Sequence, residues 1–176
     1  MNLESMLLKA WSARQPLLRS GETTACRVFH GLGDGVDGLV VELLGDVMVV
    51  QIHPGHGLPS DERLRPAVDA LRQAAGAKAV YRKVFVPDRA DAPADVAGMH
   101  VNPQPWIGDP VEPEVLVREY DLQFVVRPYD GFSVGLFLEH RDNRQRVRAM
   151  AAGRRVLNLF SYTCSFSVAA AKGGAV

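Results

Sequence analysis

The sequence predicts an α+β chain that changes to α/β order near its C-terminal end, and three observations carry the prediction. Apolar runs at Leu39 to Leu43 and Val47 to Ile52, and again at Val115 to Arg118 and Leu122 to Arg127, are separated by short polar turns, as in antiparallel hairpins. Helical spacing of apolar residues covers 3–14 and Asp61 to Gly76. Finally, the stretch RRVLNLFSYTCSFSVAAAKGGA, ending at Ala175, reads strand, tight loop, helix.

In that last stretch Val156, Leu157, Leu159 and Phe160 form a nearly continuous apolar run broken only by Asn158, the pattern of a parallel strand buried on both faces. Ser161 to Ser165 is small and polar, and Phe166 to Lys172 is Ala-rich before Gly173 and Gly174. A loop at the carboxyl end of a strand, beside a helix N-terminus, favours an anionic group of a nucleotide-type ligand. No glycine lies between Phe160 and Phe166, which disfavours a nicotinamide or flavin dinucleotide.

Composition sets the frame. A chain of 176 residues with 47% hydrophobic content can bury an ordinary core, and 20 basic residues balance 20 acidic ones, so net charge points to neither nucleic acid nor anionic membrane. Cys26 and Cys164 lack metal-type spacing and fit a reducing cytoplasm. No apolar run approaches the ~20 residues of a membrane span.

In chain order, Leu3, Leu7, Ala10 and Trp11 mark the buried stripe of the first helix, and Pro16 is expected to limit its continuation. Thr24 to His30 reads as a strand, and Gly31 to Gly38 as a turn, since its spacing matches neither a dinucleotide fingerprint nor a calcium loop. His53 and His56 flank a Pro-Gly turn without a third ligand nearby, so no metal site is expected. Leu64, Val68 and Leu71 give the second helix its buried face, and Ala79 to Val86 follows as a strand. Six of the eleven prolines fall between Pro87 and Pro113, which reads as a long loop or linker from which Trp106 and Ile107 are expected to dock onto a neighbouring surface. After the turn at Pro128 to Gly131, a helix is expected over about 140–152, with Val147, Met150 and Ala151 inward and its arginines toward solvent; in a functional version Arg141 or Arg144 binds a carboxylate or phosphate.

The segment DGFSVGLFLEHRDNR from Asp130 to Arg144, together with RRVLNLFSYTCSFSVAAAKGGA, resembles the front of the S-adenosylmethionine-dependent methyltransferases of the large-subunit rRNA cytosine-5 type. The segment RVFHGLGDGVDGLVVELLGDVMVVQ, from Arg27 to Gln51, is similar to the opening of the small domain that precedes the catalytic one in that family. The resemblance implies an α+β N-terminal domain followed by the start of an α/β Rossmann-like methyltransferase domain: an N-terminal helix over 1–20, a small α+β domain over 21–128 with its Pro-rich loop at 87–113, and the incomplete catalytic domain over 129–176. It implies S-adenosyl-L-methionine as cofactor, an RNA substrate, in particular rRNA, a cytoplasmic location, and no metal or membrane.

Carried onto residues, the resemblance makes Asn158, Phe160, Ser161, Tyr162, Thr163, Cys164 and Ser165 the first cofactor loop, with Ser161, Tyr162 and Thr163 at the methionine end, while Phe137 and Arg141 help close the pocket. It assigns no catalytic nucleophile. Where the family more often has two glycines this chain has Cys164 and Ser165, whose side chains are expected to crowd the cofactor carboxylate, and Glu139 and His140 replace an Asp-Gln pair. The sequence ends near the expected second strand of the catalytic sheet, so the chain alone is expected to fold well only to about residue 130, to bind S-adenosylmethionine more weakly than micromolar and to be inactive. The competing reading is a non-catalytic RNA-binding module that uses the small domain and Arg141 to Arg148.

Overall fold

The computed structural model describes residues 2–55, 57–86 and 101–176. The first helix, α1 (Leu3–Arg19), is capped by Asn2, whose side chain accepts the Ser5 N–H at 2.8 Å, and it buries Leu3, Leu7, Ala10 and Trp11. It runs on through Pro16, against expectation. Pro16 lies on the exposed face above exposed Ser12, so the carbonyl it leaves without a donor is on the solvent side, while Leu17 and Leu18 still pack on the core.

Strands β1 (Ala25–His30), β2 (Leu39–Leu44) and β3 (Val47–Ile52) form an antiparallel meander. The Gly-rich connection expected as a turn contains a one-turn helix, α2 (Gly31–Asp34). Asp34 explains it: its carboxylate accepts two bonds from Arg14 of α1, at 2.8 and 2.7 Å, and the His30 N–H at 2.7 Å, which winds the loop back over α1. Helix α3 (Asp61–Ala75) crosses over to β4 (Ala79–Val84), which pairs parallel with β3, and β5 (Ile107–Gly108) adds antiparallel at the edge. The sheet order is β1-β2-β3-β4-β5.

Both faces of this sheet are covered, so Val47, Met48, Val49 and Val50 of β3 are all buried instead of alternating. On one face, α1 and α3 bring Leu7, Trp11, Leu64, Val68 and Leu71 against Val28, Val41 and Val50. On the other, Leu44, Val49 and Tyr81 meet the hairpin of β6 (Val115–Glu119) and β7 (Leu122–Val126), together with Val134, Leu136 and Ala169. The second core therefore joins residues from both sides of position 128. Trp106 and Ile107 do dock: Ile107 is buried in β5, and the Arg82 guanidinium lies 5.0 Å from the Trp106 ring centre. Residues 87–100 of the Pro-rich stretch, and His56, lie outside the described residues.

A single 3-10 turn, Leu138–His140, leads into α4 (Arg141–Met150), and α5 (Ser165–Lys172) closes the chain. Two expectations fail here. On α4, Met150 is exposed and Arg144 is 0% exposed, because Arg144 turns inward onto the buried carboxylate of Glu119. And Val156 to Phe160 is no strand: Val156 to Asn158 has no regular structure, Leu159 and Phe160 are in a turn, no strand among the described residues lies beside the run, and Leu157 and Leu159 are 82% and 69% exposed. An apolar run becomes a buried strand only when a ladder partner covers it.

Candidate functional site

The loop expected to bend does bend. Phe160, Tyr162 and Cys164 adopt left-handed φ values of +58°, +49° and +62°, and the Cys164 N–H donates to the Ser161 carbonyl at 2.7 Å. Alternating left-handed residues reverse the chain sharply, at a cost of about 1–3 kcal/mol each for residues other than glycine. Two side-chain bonds hold the bend: Thr163 Oγ1 donates to the Gly135 carbonyl at 2.6 Å, and Asn158 Nδ2 donates to Ser167 Oγ at 2.9 Å. Helix α5 starts immediately after it. Val168 N–H bonds back to Cys164 at 2.9 Å, so the amides of Ser165, Phe166 and Ser167 precede the first intrahelical bond and face outward from the helix start.

Segment 133–137 lies between this loop and the hairpin. Arg127 N–H donates to the Val134 carbonyl at 2.7 Å on the β7 side, while Thr163 holds Gly135 on the other. Gly135 has φ +108°, and a Cβ there would sit 3.2 Å from the Val125 carbonyl oxygen, so the close approach requires glycine. An open cavity of about 730 Å³ follows from this layering, lined by Phe124, Val125, Gly135, Tyr162, Thr163 and Val168 among others.

The structure brings some of the expected site residues together and separates others. Tyr162 and Thr163 line the large cavity, and the Phe137 ring tilts against Tyr162 at 5.3 Å, beside a further pair, His140 with Phe166 at 5.6 Å. Asn158 and Ser161 brace the bend, and Cys164 and Ser165 form the helix start. Phe160 projects fully into solvent. Arg141 does not join them. It lines a separate cleft of about 290 Å³ with Cys26, Arg27, His30, Leu138 and Glu139, on the side facing β1.

In that second cleft, Arg27 donates to Glu42 at 2.8 Å and stands 3.6 Å from Glu139. Burial raises the Glu42 carboxyl above the usual range, against the lowering effect of Arg27. Burial also pushes the Cys26 thiol up to about 11.

Sequence reasoning missed Glu119 as a buried group and placed Arg144, which it named as a candidate carboxylate ligand, on the solvent side. Arg144 does bind a carboxylate, but the protein's own: Nε and Nη2 donate to Glu119 at 2.8 and 2.6 Å. The signals were present, since Glu119 alternates in phase with buried Val117 on β6, and Arg144 falls on the same helical stripe as Val147 and Ala151. Among the described residues no group of three or more His, Cys, Asp or Glu could hold a metal, and no helix is long and apolar enough to cross a membrane.

A model of the S-adenosylmethionine-dependent methyltransferase family matches residues 26–176. The chain is 34% identical over 173 residues to a ribosomal RNA large subunit methyltransferase of Deinococcus radiodurans, covering 98% of this chain and 41% of that protein. It is 31% identical over 168 residues to ribosomal RNA large subunit methyltransferase I of Aeromonas salmonicida, covering 94% and 40%. Among solved structures, SMU.776, crystallised in complex with SAH, superposes with a TM-score of 0.80 at 29% identity, covering 99% of this chain and 43% of that one. The chain thus spans about two fifths of the length of the relatives it matches. With the bent loop, the helix start behind it and a family match running through both, this chain belongs to the S-adenosylmethionine-dependent methyltransferase family.

Proposed function

We propose that the protein transfers a methyl group from S-adenosylmethionine to a base of large-subunit ribosomal RNA in the cytoplasm, with carbon 5 of a cytosine as the target, and that residues 129–176 open its catalytic domain. The observation that carries the reading is the bend at 160–164 feeding α5, on a chain that the family model covers. The residues present fit the cofactor: hydroxyls at Ser161, Thr163 and Ser165 and the outward amides at the start of α5 suit the amino-acid end, and the Tyr162 and Phe137 rings offer apolar faces beside it. Cys164 is exposed, which leaves its thiol room to turn away from a bound carboxylate. When bound, the cofactor supplies an electrophilic methyl on its sulfonium; this chain's residues hold and orient it, since such transfers depend mainly on alignment of donor and acceptor.

The test is a titration of S-adenosylhomocysteine into the isotopically labelled chain, followed by amide resonances, which detects binding weaker than micromolar. Shifts should centre on residues 161–167 and Phe137. Shifts centred elsewhere, or none at millimolar ligand, would overturn the assignment. RNA binding that depends on salt and is indifferent to the cofactor would favour a non-catalytic RNA-binding module instead. Arg144 and Arg148 are already engaged by Glu119 and Asp121, so that module would have to rely on other cations.

A further inference from the structure

We propose that Arg144 is a positioning residue for the cofactor site, with Glu119 as its counter-charge; the proposal rests on reading the 137–165 region as that site. Arg144 and Glu119 are 0% and 1% exposed in their side chains, 25 residues apart in sequence. One edge of the guanidinium, Nε with Nη2, is taken by the Glu119 carboxylate, and the remaining nitrogen, Nη1, donates to the Phe137 carbonyl at 3.0 Å. The guanidinium carbon also lies 5.6 Å from the centre of the Phe124 ring. One planar group thus contacts β6, β7 and the Phe137 segment. Phe124 lines the large cavity, and Phe137 carries the ring packed on Tyr162.

Stability alone does not account for the pair. An apolar pair of similar volume would hold α4 to the hairpin as well or better, because two buried charges lose their hydration. What an apolar pair cannot do is direct the Phe137 carbonyl. Arginine's rigid fork can, because once a carboxylate fixes its plane the remaining donor has a set direction. Lysine carries three freely rotating donors on a compact ammonium, with no fixed plane to set the direction of the one that would face Phe137.

One helical turn further along α4, Arg148 donates to Asp121 at 3.0 Å, and Lys172 of α5 stands 3.4 Å from the same carboxylate. The turn after β6 is therefore gripped by both helices that flank the cofactor loop, but only the inner contact, Arg144, touches the residues facing the cavity. Arg148 supplies a control that tethers the same elements from outside.

The test compares the unmodified chain with Arg144→Lys, Glu119→Gln and Arg148→Ala by native-state amide exchange and by the response to S-adenosylhomocysteine. In Arg144→Lys and Glu119→Gln, amides of 136–141 and 162–164 should exchange at least about tenfold faster while those of β2 to β4 are unchanged, and saturation should need several-fold more ligand; Arg148→Ala should do neither. Loss of protection spread evenly over the fold, or loosening of 136–141 without any change in ligand response, would overturn the proposal. Should both inner variants fail to fold, the unmodified chain decides: the Arg144 Nε–H should exchange as slowly as the β3 amides, and exchange as fast as that of Arg148 would overturn it. If the unmodified chain shows no ligand response, the cofactor reading falls while the exchange measurements still judge Arg144.

Discussion

Replacing Cys164 by glycine should stabilise the protein by about 0.8 kcal/mol, the difference between the midpoints of two opposing effects at this left-handed position. Cys164 sits at φ +62° and ψ +22° at the N-cap of α5, makes no capping bond through its side chain and is exposed, so removing the thiol sacrifices no contact that holds the fold. An L-residue in the left-handed region carries a penalty of roughly 1–2 kcal/mol that glycine escapes. Against this, glycine gives the unfolded chain more freedom, worth about 0.4–1 kcal/mol. The remainder corresponds to about 2–4 °C per kcal/mol in Tm for a chain of this size. Cys164→Ala is the necessary control, because alanine keeps the Cβ and therefore the penalty. Urea denaturation of the three proteins decides: glycine more stable than both alanine and the parent supports the argument, and equal stability of glycine and alanine would refute it, because the bend would then cost nothing at this position.

Three further outcomes follow from burial and charge. Lys83 is buried, donates to the Gly131 carbonyl and faces Asp130; desolvation lowers its pKa to about 8, against about 10.4 when exposed, so the unfolded chain binds the extra proton between those values and stability should rise with pH there, by at most about 1.4 kcal/mol per unit. Cys26, raised to about 11, gives the opposite slope above about 8.5, so the difference between the parent and Lys83→Met in pH-dependent urea melts is the measurement, and no difference between pH 7 and 10 would exclude the effect. Native alkylation at pH 8 should modify exposed Cys164 and spare buried Cys26, as read by peptide mass; comparable rates at both would mean that β1 is not packed as described. Gly108→Ala should destabilise by at least about 2 kcal/mol, since at φ +86° its Cβ would fall 2.1 Å from the Lys78 carbonyl oxygen, and a neutral result in thermal melts would show that β5 is not held against β4.

Elements whose partners lie close in sequence were legible. The two hairpins and α3 follow from local alternation and periodicity because the turn that closes each lies within a few residues, and the bend at 160–164 followed from the abrupt change between an apolar run and small polar residues. The failures were of two opposite kinds with one cause. Val156 to Phe160 has the composition of a buried strand and is exposed, while Arg144 has the composition of a solvated face and is buried. Side-chain pattern states what a segment would gain from burial; whether burial happens depends on a group elsewhere that can receive it. For Arg144 that group is Glu119, 25 residues back, and for the apolar run no strand among the described residues takes the part. The same dependence shapes the candidate site: the resemblance singled out Tyr162 and Thr163, but the surface they face comes from Gly135 and β7, which the Thr163 hydroxyl and the Arg127 N–H hold together where a side chain on Gly135 would crowd Val125.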